Sequence, residues 1–160
     1  SAEARTELNR LWPLAVLAGA LEREPARRGP AAHARNLAEW MDAEFAVSGE
    51  AGTYSAAMTL AAFSALGQPL EPAVWQRVRI DDSRDTASLP SAGIWWRLPA
   101  AAQDGEIGMV VLMSLVAIGE GGPAQVSPAL LERVLSAMVA SGLTSDARRL
   151  AREAIWATQL

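Results

Sequence analysis

Cysteine and lysine are both missing from this 160-residue chain. Without cysteine there can be no disulfide, no zinc–thiolate site and no thiol catalysis. All 14 basic residues are arginine, a bias typical of GC-rich bacterial genomes. A cysteine-free chain suits the bacterial cytoplasm and the periplasm equally well, so the composition leaves the compartment open.

A basic face is missing as well. The 14 arginines are outnumbered by 18 acidic residues, the net charge is −4, and no long block carries one sign. Nucleic-acid binding depends on clustered positive charge, and so does electrostatic binding to an anionic membrane surface. The sequence therefore disfavours nucleic acid and membrane surfaces as partners.

No apolar run is long. The longest extends from Ile107 to Ile118 and is interrupted by Gly108 and Ser114. It is too short for a bilayer, which needs about 20 residues, so we expect no membrane insertion and predict a buried central helix there. The chain shows no signal peptide and begins without methionine, so we expect it to be a piece of a longer protein.

Histidine occurs once, at position 33. A single imidazole cannot form a two-histidine metal site, and a Ser-His-Asp relay would need partners that the sequence does not indicate. His33 lies one turn before Leu37, so we expect it to pack at a helix edge. The sequence indicates no catalytic residue, no metal site and no cofactor.

An acidic string at Asp81, Asp82 and Asp85 leaves an enzymatic alternative open. It resembles the DDxxD motif with which all-α isoprenoid synthases hold magnesium, a metal that prefers carboxylate ligands. The resemblance implies a fragment of an all-α Mg-dependent enzyme. If the chain were a fragment of an all-α hydrolase or synthase, its acid and base would be carboxylates such as Glu50, Glu106 or Asp81. Because those enzymes need a longer chain and a second metal motif, a solvated loop is the favoured interpretation.

The clearest helical pattern runs from Ser127, which can cap the first turn, to Ser141, and Gly142 ends it. Its apolar stripe consists of Leu130, Leu131, Val134, Leu135 and Met138. The next helix begins at Thr144 or Ser145. Its apolar face consists of Ala147, Leu150, Ala151, Ala154 and Ile155. Together the two helices are predicted to form an αα-hairpin.

Length and composition predict further helices, and no segment shows the alternation of a strand. They cover 13–22 after a break near Trp12, about 32–47, 54–66, 72–80 and 106–118. The linkers between them lie at 25–30, 81–91 and 120–126. The sequence therefore predicts one all-α domain over residues 1–160, with six to seven helices.

Two parts of the chain share an ordered set of features. Gly49-Glu50-Ala51-Gly52 is echoed by Gly105-Glu106-Ile107-Gly108, and each run opens an apolar helix. Each helix ends at a glycine, and a helix that begins with proline follows. The spacing between the two sets, from Gly49 to Gly105, is typical of the repeats of solenoid proteins. In a solenoid, each repeat unit buries its apolar face only against neighbouring units. We predict repeat units at about 36–90 and 91–160, with chance similarity as the alternative.

The C-terminal hairpin resembles a tetratricopeptide repeat over about 34 residues. Gly142 falls at the turn between the helices. The second helix can approach its neighbour closely at small residues, which are Ala147, Ala151 and Ala154. The chain departs from the family at three positions. It has Met138 and Ala151 where the family has aromatic residues, and Gln159 where the family has a closing proline. The resemblance implies an α-solenoid of stacked antiparallel hairpins with a concave peptide-binding face, and it assigns no ligand residue.

Tryptophan supplies the best candidates for a binding surface. Trp12, Trp40 and Trp75 lie in apolar helical stripes, and we expect them in the core. Adjacent Trp95 and Trp96 point about 100° apart on a helix and cannot both face one core, so they contact either a partner or another helix. Mixtures of tryptophan and arginine are enriched at binding hot spots. The candidate partner-binding residues are Trp95, Trp96, Arg97, Arg77 and Arg79.

These patterns predict a non-enzymatic module that binds or scaffolds a protein or peptide. Two alternatives stay open beside it. The chain could be a structural spacer or oligomerisation domain of a larger envelope or assembly protein, and would then self-associate. It could also be the Mg-dependent enzyme fragment described above.

Overall fold

The structure is a computed structural model that describes residues 7–19, 25–68, 70–78, 90–123 and 125–159. Every regular element in these ranges is a helix, which confirms the predicted all-α class. The helices are α1 (Trp12–Leu17), α2 (Pro25–Ser48), α3 (Glu50–Ala65), α4 (Pro72–Trp75), α5 (Ala92–Gln103), α6 (Ile107–Ile118), α7 (Pro128–Ala140) and α8 (Thr144–Thr158). Residues 7–10 are also helical. The predicted number of six to seven is not confirmed, because the short α1 and α4 add to it.

Helix α7 begins and ends as predicted. The Ser127 hydroxyl accepts a hydrogen bond from the Leu130 N–H at 3.2 Å, and Pro128 occupies the first turn, where a missing N–H costs nothing. The predicted apolar stripe of α7 is buried. Gly142 then reverses the chain with a φ of +80°, and α7 packs on α8 as an αα-hairpin.

Two other hairpins have the same form. Helix α2 packs on α3, and α5 packs on α6. Gly49 and Gly105, which link these pairs, have φ values of +55° and +73°. Glycine adopts this left-handed conformation without the steric cost that a Cβ would bring. A glycine thus reverses the chain in all three hairpins.

Helix α3 is the central helix. It contacts α2, α7 and α8. Seven of its side chains have no solvent exposure: Ser55, Ala56, Met58, Thr59, Leu60, Ala62 and Phe63. Helix α2 approaches closely at Gly52, where an added Cβ would lie 3.0 Å from the Glu44 carbonyl oxygen. Small residues in α3 therefore allow the neighbouring helices to pack closely around it.

A buried carboxylate joins the N-terminal segment to α2. Glu44 has no solvent exposure. Its Oε2 accepts a hydrogen bond from Arg10 Nε at 3.1 Å, and its Oε1 accepts one from the Ser48 hydroxyl at 3.0 Å. A buried charge is stable only when it is paired and hydrogen-bonded, so Arg10 and Ser48 allow Glu44 to be placed there.

Helix α7 connects two groups of helices. It contacts α3 and α8, and it also contacts α5 and α6. Helix α1 packs against α2 and α8. Because α7 lies against both groups, it is the helix that positions the α5–α6 hairpin relative to the central α3.

The expected burial of the longest apolar run is wrong. Residues 107–118 form α6 as predicted, but the buried residues of this helix are only Val110 and Ser114. Five large apolar side chains are exposed instead, namely Ile107, Val111, Leu112, Leu115 and Val116. Only the side of α6 that meets α5 and α7 is covered. No helix in the described ranges is long and apolar enough to span a membrane.

Two boundaries also differ from the prediction. Helix α2 begins at Pro25, inside the predicted linker 25–30, because proline is well placed in a first turn. Helix α4 ends at Trp75 rather than near residue 80, and Trp75 is 40% exposed instead of lying in the core. The predicted linker 81–91 falls outside the described residues up to position 89.

Candidate protein-binding surface

A proline in α5 creates the central feature of the candidate surface. Pro99 has no N–H, so the carbonyl of Trp95, four residues earlier, lacks its usual helical donor. Arg133 of α7 replaces that donor, because its Nε donates to the Trp95 carbonyl oxygen at 2.9 Å. The Arg133 guanidinium carbon also lies 4.5 Å from the centroid of the Trp95 ring. One side chain therefore satisfies the backbone and packs on the indole.

Trp96 lies on the outer side of the same cluster. It is 70% exposed, while its ring centroid is 5.7 Å from the Arg133 guanidinium carbon. Trp95 is half-buried and packs against the core. The two neighbouring indoles thus have different environments, as their 100° separation on a helix requires.

Arg133 holds the exposed indole through its charge. A guanidinium over an indole face is attracted by the ring quadrupole, by about 0.5–1 kcal/mol at an exposed site. Trp96 therefore combines high exposure with a cation–π contact to Arg133. Arg97 is exposed beside it in the sequence and adds a second cation.

The other predicted candidates do not join this cluster. Arg77 forms an ion pair with Asp42 of α2 and lies 5.9 Å from the Phe45 ring centroid. These contacts tie the end of α4 to α2, so the guanidinium is engaged within the chain. Arg79 lies outside the described residues. The structure therefore brings together Trp95 and Trp96, with Arg97 adjacent, and places Arg77 against a different helix.

Sequence reasoning missed Arg133. A signal was present, because a proline four residues after Trp95 leaves a carbonyl without a donor. Which donor reaches that carbonyl depends on how α7 packs against α5, a long-range contact that no local pattern encodes.

His33 packs in an aromatic cluster. Its ring centroid is 5.2 Å from that of Trp12 and 5.8 Å from that of Phe63. Burial lowers the pKa of His33 below its usual value of 6.5, because a charged imidazole loses hydration there. Its buried Nε2 has no hydrogen-bond partner among the described residues. The prediction was a packing role at a helix edge, and the structure shows the imidazole packed between the rings of Trp12 and Phe63.

The structure does not describe the acidic string of the enzymatic alternative. Asp81, Asp82 and Asp85 lie outside the described residues. Within the described part of the chain, no group of three or more histidine, aspartate or glutamate side chains could hold a metal ion. Glu106 is exposed at the start of α6. A cavity of about 440 Å³ lies between the start of α5 and the end of α6, and among the described residues that line it only Glu120 is ionisable.

Comparisons of the chain with protein-family models, curated proteins and solved structures give no match.

Proposed function

We propose that this chain is a non-enzymatic module that binds a protein or peptide, with Trp96 as its principal contact. The observation that carries the proposal is an indole that is 70% exposed and yet lies against Arg133. Tryptophan and arginine dominate the binding free energy of many interfaces, and restrained side chains lose little entropy when a partner covers them. An exposed indole in contact with a guanidinium suits that role.

The chemistry of the cluster defines the class of partner. The Trp96 ring offers a flat apolar face, and Arg97 beside it offers an exposed cation. A matching segment would cover the ring with an apolar side chain and bring a carboxylate to Arg97. We infer a short peptide segment with an apolar anchor next to an acidic residue.

We infer further that the hairpins form a degenerate array of the tetratricopeptide type. Three hairpins, each turning at a glycine with positive φ, support this interpretation. The last hairpin packs on the first through the contacts of α3 with α7 and α8, and on the middle one through the contacts of α7 with α5 and α6, so it would lie between the other two in the array. In this arrangement the peptide would lie on the α5–α7 side.

A peptide-display selection against the 160-residue chain tests the proposed function. Selected peptides should contain an apolar residue next to an acidic one, and Trp96→Ala should weaken their binding at least tenfold. Trp156→Ala is the matched control, because Trp156 is also exposed, at 51%, but lies on α8. Far-UV circular dichroism of both variants verifies the fold.

Two outcomes would contradict the proposal. The first is a set of peptides that bind the Trp96→Ala variant as tightly as the parent chain. The second is an equal loss of binding for Trp96→Ala and Trp156→Ala, since that would show that indoles are recognised without regard to position.

A further inference from the structure

We infer that protonation of His33 weakens the docking of the N-terminal segment, residues 7–17, so that this segment opens from α2 and α3 more readily in mild acid. The inference goes beyond the proposed function, because His33 and the N-terminal segment take no part in the Trp96 surface. It starts from the place of the chain's single histidine between two aromatic rings and from a buried ring nitrogen without a partner.

Three rings from three helices form one cluster around His33. The imidazole centroid lies 5.2 Å from that of Trp12 in α1 and 5.8 Å from that of Phe63 in α3. Trp12 and Phe63 also contact each other edge to face, with centroids 5.7 Å apart. The imidazole therefore touches the ring through which the N-terminal segment meets the central helix, and a charge on the imidazole acts directly on that contact.

The cluster offers an imidazolium no acceptor at its inner nitrogen. The Nε2 of His33 is buried and has no hydrogen-bond partner among the described residues. The indole Nε1 of Trp12 is buried and unpartnered too, but an indole N–H is only a donor. An imidazolium carries a proton on both ring nitrogens, and a buried cationic N–H without an acceptor is costly. The docked segment therefore suits the neutral imidazole.

The helices packed on His33 bring no carboxylate to it. Helix α3 has no charged residue from 51 to 65, and none occurs from 11 to 18, around α1. In the remainder of the N-terminal segment, Glu7 is exposed and forms an ion pair with Arg10 at 3.8 Å. Arg10 itself is a cation. Neither α1 nor α3 thus offers a charge that would stabilise an imidazolium.

The other carboxylates around the cluster are distant or exposed. Glu44 follows His33 by eleven residues on α2, about 16 Å along the helix, and its oxygens are bound by Arg10 and Ser48. The remaining described carboxylates of α2, of α8 and of the loop before α4 are exposed, namely Glu39, Asp42, Glu71, Asp146 and Glu153. The described arginines of these elements only disfavour a second cation, and they are Arg35, Arg148, Arg149 and Arg152.

Burial sets the direction of the pH effect. It lowers the pKa of His33 below the usual 6.5 while the segment is docked. Opening returns water to the imidazole, so its pKa moves back towards 6.5. Docking is therefore strongest above pH 6.5 and weakens as the pH falls from there towards the docked pKa. Because one proton is involved, the docking constant changes by at most about tenfold per pH unit.

The N-terminal segment opens because it is the weaker side of the cluster. Trp12 belongs to a helix of six residues, whereas Phe63 belongs to α3, which α2, α7 and α8 surround. Terminal segments open at a lower free energy than the whole fold. Arg10 holds the segment independently of His33, through Glu44 and through its carbonyl oxygen, which accepts from Gln159. Protonation therefore weakens docking and leaves the rest of the fold in place.

Amide hydrogen exchange of the 160-residue chain, measured by NMR from about pH 7.5 to 5 and corrected for intrinsic rates, tests the inference. The reporters are the N–H groups of Ala15 and Ala18, which donate to carbonyls of the segment at 3.1 and 2.8 Å. Their protection should fall at least about threefold with acid. The N–H of Leu131 in α7, bonded at 2.9 Å, should keep its protection. Unchanged protection at Ala15 and Ala18 overturns the inference, and so does an equal loss at Leu131.

Titration of the histidine ring protons by NMR gives a second test in the parent chain. His33 is the only histidine, so its signals are unambiguous. The midpoint should lie below 6.5. A midpoint above 6.5 would show that the rings of Trp12 and Phe63 stabilise the cation through cation–π attraction. Acid would then strengthen docking, and the inference would be wrong.

Two variants distinguish the imidazole from the buried carboxylate. His33→Phe keeps a ring in the cluster but takes no proton, so the protection of Ala15 should become the same at both ends of the pH range. Glu44→Gln is the matched control on the same helix. It should lower the protection of Ala15 throughout and retain the fall with acid. A fall that persists in His33→Phe and disappears in Glu44→Gln would assign the effect to the carboxylate and overturn the inference.

Discussion

The central α3 and the peripheral α6 reverse the usual relation between hydrophobicity and burial. Helix α3 contains Ser55 and Thr59, and both are fully buried. Helix α6 is apolar on every side, yet it exposes five large side chains. A helix becomes central when small residues let several neighbours approach it, whereas apolar character alone only requires that something cover it.

The largest test of this comparison uses one residue type in both helices. Leu60 of α3 has no solvent exposure, whereas Leu115 of α6 is 64% exposed. Leu60→Ala should lower the free energy of unfolding by about 2–5 kcal/mol, because a cavity is left in the core. Leu115→Ala should change it by less than about 0.5 kcal/mol. Urea unfolding at low micromolar concentration measures both, and similar losses would break the comparison.

Gly52 of α3 and Gly108 of α6 occupy matching positions in the two echoed sequence runs and give the next test. Substitution by alanine should change the stability in opposite directions at the two positions. Gly52→Ala puts a Cβ 3.0 Å from the Glu44 carbonyl oxygen, so the backbones of α2 and α3 must separate and stability should fall by about 1–3 kcal/mol. Gly108→Ala has open space and should raise stability by about 0.5–1 kcal/mol. Thermal unfolding of the two variants distinguishes them. Destabilisation by Gly108→Ala would mean that α6 is packed more closely than described.

A smaller change in the free energy of unfolding is expected at α5, because its burial is intermediate between that of α3 and that of α6. Arg133→Ala should destabilise the chain by about 1–2 kcal/mol, because the Trp95 carbonyl loses its donor. In a Pro99→Ala background the helix supplies that donor, so the same substitution should cost about 0.5–1 kcal/mol less. A double-mutant cycle measured by urea unfolding gives the coupling. A coupling of zero would show that Arg133 acts through the rings alone.

Local sequence patterns predicted the helices that have one apolar face and one polar face. The cap at Ser127 and the stripe of α7 gave its bounds to within a residue. The same method failed for the burial of α6, since a helix that is apolar all round has no periodicity to mark a buried face. It also failed for Trp75, because nothing local shows that α4 ends there.

The candidate surface was predictable only in part. The separation of Trp95 and Trp96 follows from helix geometry, and the exposure of Trp96 agrees with it. Arg133 could not be found this way, since it reaches Trp95 across 38 positions of sequence. The elements follow from local chemistry, whereas the surface depends on which elements meet.

One contact joins the two ends of the described chain. Gln159 Nε2 donates a hydrogen bond to the Arg10 carbonyl oxygen at 3.4 Å. Residues that are 149 positions apart are therefore neighbours, and a short glycine–serine bridge could connect them. New termini could then open at Gly121, in the exposed turn after α6. The packing thus permits circular permutation, with α7 and α8 translated first and the same helix contacts retained.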